Sequence, residues 1–295
     1  STQAKTLFPY TTLFRSPEVL VTNAGDDSVS TFKNLKQADG ALQVDRVYTG
    51  IATPIAIAAA DVSGDKKADV VVSSGGEQPL TVLRNDGSGV LMTGTPLAAG
   101  NYLYGVALAE LATGMPPDLV TVSAGDDLVR LYVNDGSGGF GINKVDFAKD
   151  FSTPVAVVAG TLTSSGRGQD LLVANYNSDS VTLFKNRGSY GFDLQHFSTG
   201  HHPSAVAIGA INLLRGTFAD FVVATADGAN LFFANEHGDF IAAVDKSGAP
   251  LRLSATVPSA VAVLPSESGQ NILLADREKN QLLIYTVGTA GLGGR

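Results

Sequence analysis

The chain has 295 residues, a formal net charge of −8 and no cysteine. The acidic balance argues against nucleic acid or anionic lipid as a partner, and the lack of cysteine excludes a disulfide framework and thiol chemistry. No apolar run reaches the roughly 18 residues that a membrane span needs. We therefore expect neither a nucleic-acid partner nor membrane insertion, while the oligomeric state stays open.

The first segment, Thr6–Ser16, reads TLFPYTTLFRS and resembles the conceptual translation of a short-read sequencing adapter over its full length. The alternative is an ordinary N-terminal strand. We expect residues 1–16 to be an assembly artefact and the folded domain to cover 17–295. On this expectation the natural start of the protein, with any signal peptide, is missing from the sequence.

From residue 17 onward, one sequence motif recurs six times at intervals of 49 to 52 residues. It consists of an apolar strand, a short polar turn and a second apolar strand, and it closes on one polar residue: Asn34, Asn85, Asn134, Asn186, Asn235 and Thr286. A fixed period of this length is typical of stacked or radial repeats.

A short strand precedes most copies and a fourth strand signal follows most of them, as at 93–100 and 143–150. Four strands in about 50 residues predict an all-β fold, a β-propeller of four-stranded blades. Four blades are expected to be full, and the first and last partial, because the first lacks an inner strand and the last stops after its third. Six visible repeats also fit a truncated seven-bladed propeller. The predicted blades are 17–50, 51–100, 101–150, 151–200, 201–256 and 257–295.

The sharpest local motif is Asp61-Val-Ser-Gly-Asp-Lys-Lys-Ala-Asp69. Side-chain oxygens fall at alternate positions, and a backbone carbonyl can add another ligand, which is how tight loops wrap a hard cation. The candidate metal ligands are Asp61, Ser63, Asp65, Asp69 and the carbonyl of Lys67. The alternative is a polar turn in which Asp61 and Asp69 accept backbone N–H groups.

The repeat with this loop between its first two strands resembles the FG-GAP/VCBS propeller family, which also supplies integrin α-chain repeats. The resemblance implies one structural Ca²⁺ site and a secreted, periplasmic or cell-surface location. This chain departs from the family pattern, since Ser63 replaces an Asp or Asn and Lys66 stands where glycine normally permits the sharp turn. The corresponding loops at 110–118, 161–170, 211–220 and 265–271 lack the ligand set.

The turns between second and third strands are expected to share one face with the crossings between blades, and propellers usually bind ligands on such a variable face. The candidates for a protein or carbohydrate ligand are Tyr102, Tyr104, Tyr176, His201 and His202. Tyr102 and Tyr104 could stack on a sugar or simply pack at the pore mouth. Because neighbours in an extended segment point opposite ways, His201 and His202 are not expected to chelate together.

The sequence contains no GxSxG, no HExxH and no cysteine nucleophile. We therefore favour a non-catalytic interaction or scaffold module of a secreted or cell-surface bacterial protein. The alternative is a propeller enzyme that acts on polysaccharides, as a lyase, or on lactones. The pattern alone cannot name the ligand.

Overall fold

The computed structural model leaves residues 1–17 outside its description, so the adapter-like segment Thr6–Ser16 stays a prediction. The described residues are 18–34, 42–77, 79–94, 96–141, 143–148, 150–163, 166–211, 218–235, 237–245, 247–266, 269–288 and 291–294.

These residues form six antiparallel sheets in chain order. In each sheet consecutive strands are neighbours, except that Arg252–Leu253 in the fifth sheet pairs with Gly228–Ala234. Sheets one to three contain β1 (Glu18–Asn23), β2 (Ser28–Asn34) and β3 (Leu42–Thr49); β4 (Pro54–Ala60), β5 (Asp69–Ser74), β6 (Thr81–Asn85) and β7 (Leu91–Thr93); and β8 (Leu103–Ala109), β9 (Asp118–Ser123), β10 (Leu128–Val133) and β11 (Asn143–Phe147). Sheets four to six contain β12 (Pro154–Gly160), β13 (Asp170–Asn175), β14 (Ser180–Gly188) and β15 (Gly191–Ser198); β16 (Ala205–Gly209), β17 (Asp220–Thr225), β18 (Gly228–Ala234), β19 (Phe240–Ala242) and β20 (Arg252–Leu253); and β21 (Pro258–Ser266), β22 (Gly269–Asp276), β23 (Gln281–Gly288) and β24 (Gly291–Gly294).

This architecture confirms the all-β class and the six-bladed β-propeller with four-stranded blades. Sheet one shows three strands in its described part, as expected. The prediction that the last repeat stops after its third strand is wrong, because Gly291–Gly294 pairs with the end of β23. In sheet two the fourth strand covers only Leu91–Thr93, and beyond it Leu97 makes a single bridge to Leu80. Pro96 cannot donate to a ladder, which accounts for the interruption.

The described chain divides into two compact units. The first holds sheets one to three, and its core packs aliphatic side chains of successive sheets, such as Leu20 and Val29 of sheet one against Val70 and Val72 of sheet two. The second unit holds sheets four to six together with residues 111–113. Its core packs Phe221 and Phe232 of sheet five against sheet four, and Val222 and Leu231 on the other face of sheet five against sheet six.

The second strands explain the long apolar runs in the sequence. In sheets two to five all six residues of β5, β9, β13 and β17 are buried, so both faces of these strands are covered. In β22 of sheet six, by contrast, buried and partly exposed residues alternate from Asn271 to Asp276. One set of alternate residues of this strand is therefore only partly covered.

Candidate functional site

The 61–69 loop is closed by hydrogen bonds to its first carboxylate. Asp61 Oδ1 accepts from the backbone N–H groups of Gly64 (2.7 Å) and Asp65 (3.1 Å), and Oδ2 accepts from that of Lys66 (2.7 Å). Ser63 also donates its hydroxyl to Oδ1 at 3.4 Å. Lys66 has φ 66°, so it does adopt the left-handed conformation that the family pattern gives to glycine.

Asp69, the last candidate ligand, is buried and also accepts backbone N–H groups, from Asn85 at 2.9 Å and Val62 at 3.3 Å. Asp65 accepts the Lys67 N–H at 2.9 Å, and its other oxygen lies 3.6 Å from Lys67 Nζ. The described residues contain no group of three or more His, Cys, Asp or Glu that could hold a metal ion. In this arrangement the carboxylates serve a hydrogen-bonded turn, and calcium at this loop stays a prediction.

The same buried carboxylate recurs at the start of the second strand in four sheets. In each case one oxygen accepts a backbone N–H at or near the end of the third strand, at 2.8 or 2.9 Å. The four residues are Asp69, Asp118, Asp170 and Asp220. Their role is structural, because each ties two strands of one sheet together.

Asp118 differs from the other three because its Oδ2 has no hydrogen-bond partner among the described residues. Burial without that partner raises the pKa of Asp118 to about 6, although the bond from the Asn134 N–H opposes the shift. By contrast, Asp170 Oδ2 accepts from the N–H groups of Leu162 and Thr163 and from the Thr163 hydroxyl. The 110–118 loop does not supply such donors.

Two of the repeated asparagines, Asn134 and Asn186, each donate to one backbone carbonyl in the preceding repeat and one in their own. Nδ2 of Asn134 donates to the carbonyls of Val62 and Pro117, both at 2.9 Å, and Nδ2 of Asn186 donates in the same way to Leu111 and Gln169. The side chains also hold the loop between the first and second strands of the preceding repeat.

The opposite edge of the sheets carries the turns between second and third strands, and this is where the ligand-face candidates lie. Residues just before the first strand have positive φ in four repeats: Thr53 (43°), Tyr102 (52°), Thr153 (53°) and His202 (51°). Left-handed backbone costs an L-residue roughly 1–2 kcal/mol, and a β-branched residue there is an outlier. Such strain often clusters at functional sites.

Aspartates of the turns hold these strained segments in place. Asp27 Oδ1 accepts the Thr53 N–H at 2.7 Å, and Asp179 Oδ1 accepts the His202 N–H at 2.8 Å. Asp126 Oδ2 accepts the Asn101 N–H at 2.8 Å, and this bond contributes most to a lowered pKa of Asp126. These turn aspartates therefore position the backbone just before the first strands.

In the second unit, three of the ligand-face candidates and one aspartate form an exposed group, here called the Tyr–His cluster: Tyr176, His201, His202 and Asp179. The rings of Tyr176 and His202 stack with centroids 4.4 Å apart and planes at 15°. Nδ1 of His201 lies 3.0 Å from Asp179 Oδ2, and Nδ1 of His202 lies 3.2 Å from the Tyr176 carbonyl. Hydrogen bonds from the His202 N–H and from His201 lower the pKa of Asp179.

The expectation that His201 and His202 point opposite ways is wrong. Their ring centroids are 6.4 Å apart, and both rings lie beside Asp179. The reason is the φ of 51° at His202, which breaks the extended alternation on which that expectation rested.

Polar groups surround the Tyr–His cluster. Asn177 Nδ2 donates to the Thr153 hydroxyl at 2.6 Å, and Asp227 Oδ2 accepts the His201 N–H at 3.0 Å. Arg252 Nη1 lies 3.3 Å from the same Asp227 oxygen. Asp227 and Arg252 were missed by the sequence analysis, since β20, which carries Arg252, shows no clear strand signal.

The remaining candidates, Tyr102 and Tyr104, belong to the first unit. Their side chains are exposed, by 52% and 38% respectively. Tyr102 lies against Gly125, where a Cβ atom would come within 2.9 Å of the ring. Both tyrosines therefore offer apolar surface to a ligand, but they are not part of the Tyr–His cluster.

No protein-family model matches this chain, and no curated protein matches it in sequence. No helix among the described residues is long and apolar enough to cross a membrane.

Solved structures do resemble the chain in fold. A functionally unknown protein from Desulfotomaculum acetoxidans DSM 771 has a TM-score of 0.66 at 14% identity, over 94% of this chain and 81% of that chain. A "putative 6-phosphogluconolactonase" from Bacteroides uniformis ATCC 8492 has a TM-score of 0.69 at 11% identity, with 94% and 80% covered. BBS1N, solved in complex with ARL6DN, has a TM-score of 0.64 at 11% identity, with 99% and 81% covered. At these identities the likeness shows the propeller fold alone.

Proposed function

We propose that this chain is a non-catalytic ligand-binding propeller and that its ligand is a carbohydrate bound at the Tyr–His cluster. The stacked pair of Tyr176 and His202 carries the proposal. Both rings are partly exposed on a surface whose other groups are carboxylates, an amide and a guanidinium. Flat aromatic surface combined with charged hydrogen-bonding groups suits a sugar, which has apolar ring faces and hydroxyl edges.

The openness of the cluster favours binding over catalysis. The side chain of His201 is 69% exposed and that of His202 is 49% exposed. Catalytic electrostatics depend on excluding water from the reacting groups, and this surface does not do so. The family resemblance extends the proposal to a secreted, periplasmic or cell-surface protein, with calcium at the 61–69 loop as a structural accessory.

A panel of immobilised oligosaccharides tests the proposal. We expect saturable binding to a subset of glycans, lost in Tyr176→Ala. His237→Ala is the matched control, because His237 is an exposed aromatic residue on the turn between β18 and β19, away from the cluster. Binding that survives Tyr176→Ala, or that falls equally in His237→Ala, would place the ligand elsewhere.

Lactone hydrolysis is the second candidate function. The observation that favours it is the His201–Asp179 pair, because a carboxylate on Nδ1 leaves Nε2 able to act as a general base toward water. The fold likeness to the Bacteroides uniformis protein agrees with it weakly. Release of acid from a 6-phosphogluconolactone substrate, abolished in His201→Ala and retained in His237→Ala, would favour the enzyme over the binding module.

A further inference from the structure

A cavity of about 360 Å³ lies between sheets two and three, inside the first compact unit. One wall is the interrupted fourth strand of sheet two, where the Gly94 N–H donates to the Val82 carbonyl at 2.7 Å and the chain rejoins the sheet only at Leu97. The other wall is the turn 138–141 of sheet three, in which Phe140 stands among three glycines. Small-molecule sites in proteins have volumes of roughly 300–1,000 Å³, so the cavity is large enough for a small ligand.

The cavity combines apolar surface with one cationic side chain. Its apolar part comes from Val82, Leu97 and Phe140, which belong to one core cluster or pack against it. The cation is Arg84, whose Nη1 donates to the Ser137 carbonyl at 2.6 Å. Among the described residues the guanidinium makes no other hydrogen bond and no ion pair. Since a guanidinium has five N–H donors, most of them remain for a ligand.

Sheets four and five form a second joint, that is, a contact between neighbouring sheets, and there the corresponding cation is paired. Lys185 corresponds to Arg84, because each precedes the residue whose N–H is bound by the buried aspartate of its sheet. Lys185 Nζ lies 3.8 Å from Asp239 Oδ1 of sheet five. This joint therefore places a carboxylate of one sheet beside a cation of the other.

Gly139 of sheet three takes the position of Asp239. In both turns the carbonyl of this residue accepts the N–H of the residue four positions earlier, and its own N–H donates to that residue's side chain. Because glycine has no side chain, the carboxylate of the second joint is missing beside Arg84. Asp135, another described residue of this turn, forms no ion pair with Arg84. Hydrogen bonds from Gly139 and Ser137 are the main causes of its lowered pKa, and the charge of Arg84 adds least.

We propose that this cavity binds a small organic carboxylate, with its charged end on Arg84 and its apolar end against Val82, Leu97 and Phe140. The class of ligand follows from charge complementarity, because the ligand supplies the carboxylate that Asp239 supplies in the second joint. A guanidinium and a carboxylate can form two parallel hydrogen bonds, which makes this pair stronger than a neutral one. The Tyr–His cluster belongs to the other compact unit, so the proposal does not depend on carbohydrate binding.

Titration with hexanoate, followed by the methyl NMR signals of Val82 and Leu97, tests the proposal. Hexanoate has one carboxylate and a short apolar tail, and hexanamide has nearly the same shape without the charge. We expect saturable shifts of both methyl signals with hexanoate. Binding should be weaker by roughly tenfold or more for hexanamide, and for hexanoate in Arg84→Met, because each loses the charge-assisted pair. Lys144→Met is the matched control and should bind hexanoate like the wild type, since it removes an exposed cation of β11 that is not among the residues lining the cavity.

Several outcomes would overturn the proposal. Hexanoate that causes no saturable shift of either methyl signal contradicts it. So does an affinity for hexanamide equal to that for hexanoate, or a loss of affinity that is the same in Lys144→Met and Arg84→Met. Acetate bound as tightly as hexanoate would contradict the role of the apolar wall. Arg84 is only partly buried, so Arg84→Met should fold, which its melting temperature checks, and the comparison with hexanamide needs no variant.

Discussion

Nδ2 of Asn134 donates a 2.9 Å hydrogen bond to the carbonyl of Val62, 72 residues earlier in the chain. The same amide donates to Pro117, and Oδ1 accepts the N–H groups of Gly136 and Gly138. One buried side chain thus closes a turn in sheet three and holds a loop of sheet two. The repeated asparagine is part of the joint between sheets as well as a turn residue.

Asn134→Ala should therefore lower the free energy of unfolding by about 2–4 kcal/mol, because it leaves several buried partners unpaired. Asn235→Ala is the control. Asn235 is only partly buried, and among the described residues its Oδ1 accepts the N–H groups of His237 and Asp239. It should cost about 1 kcal/mol. Urea unfolding measures both, and equal losses would refute the joint role of Asn134.

Asp118 should make stability depend on pH. Its pKa in the folded chain is about 6, against an ordinary value of 3.8, so folding favours the protonated form. The contribution of Asp118 to the free energy of unfolding is fully present below pH 4 and is lost as the pH rises toward 6. The loss amounts to about 3 kcal/mol, at about 1.4 kcal/mol per pKa unit.

Asp118→Asn should remove that loss. The free energy of unfolding of the variant, measured with urea, should therefore rise relative to that of the wild type as the pH increases from 4 to 7. Asp170→Asn is the contrasting control, because both Asp170 oxygens accept hydrogen bonds and an amide NH₂ would face donors. It should destabilise at pH 7. Parallel pH profiles for Asp118→Asn and the wild type would contradict the raised pKa.

Thr53 should be replaceable with a gain in stability. Its φ of 43° is unfavourable for a β-branched residue, whereas asparagine tolerates the left-handed region. We expect Thr53→Asn to add about 0.5–1 kcal/mol, a part of the left-handed penalty. Thr93→Asn, at an exposed position of β7, has no such strain to relieve and should bring no gain. A fall in the melting temperature of Thr53→Asn would show that the threonine side chain is needed there.

Two variants of the 61–69 loop distinguish its hydrogen-bonding role from calcium binding. Asp61→Ala should destabilise the chain by about 1–2 kcal/mol even with a chelator present, because three backbone N–H groups lose their acceptor. If calcium also binds, it should raise the melting temperature of the wild type and not that of Asp65→Ala. A wild-type melting temperature that is the same with calcium and with chelator would contradict the calcium prediction.

The fold could be predicted because two signals agreed: the period set by the strand-ending asparagines, and apolar runs such as Val70–Val72 that need cover on both faces. The last strand, Gly291–Gly294, could not be predicted because four residues without an apolar pattern give no strand signal. The short β20 could not be predicted for the same reason, and Arg252, which it carries, was therefore missed as well.

The site could be predicted only in part. Residue type and turn position placed Tyr176, His201 and His202 on one edge, but not in contact, because alternation was assumed where the backbone turns left-handed. A usable signal existed: His202-Pro203 occupies the position of Thr53-Pro54 and Thr153-Pro154 in other repeats. If the residue before this proline has the same left-handed conformation in each of these repeats, His201 and His202 are predicted to lie on the same side of the backbone.

The most direct test of the carbohydrate site is to follow the imidazole signals by NMR during titration with an oligosaccharide identified by the glycan panel. The chain has only four histidines, so each can be assigned by substitution. The proposed site predicts saturable shifts of His201 and His202, while His196 and His237 stay unchanged. Shifts confined to His196 or His237, or no shift at saturating ligand, would contradict it.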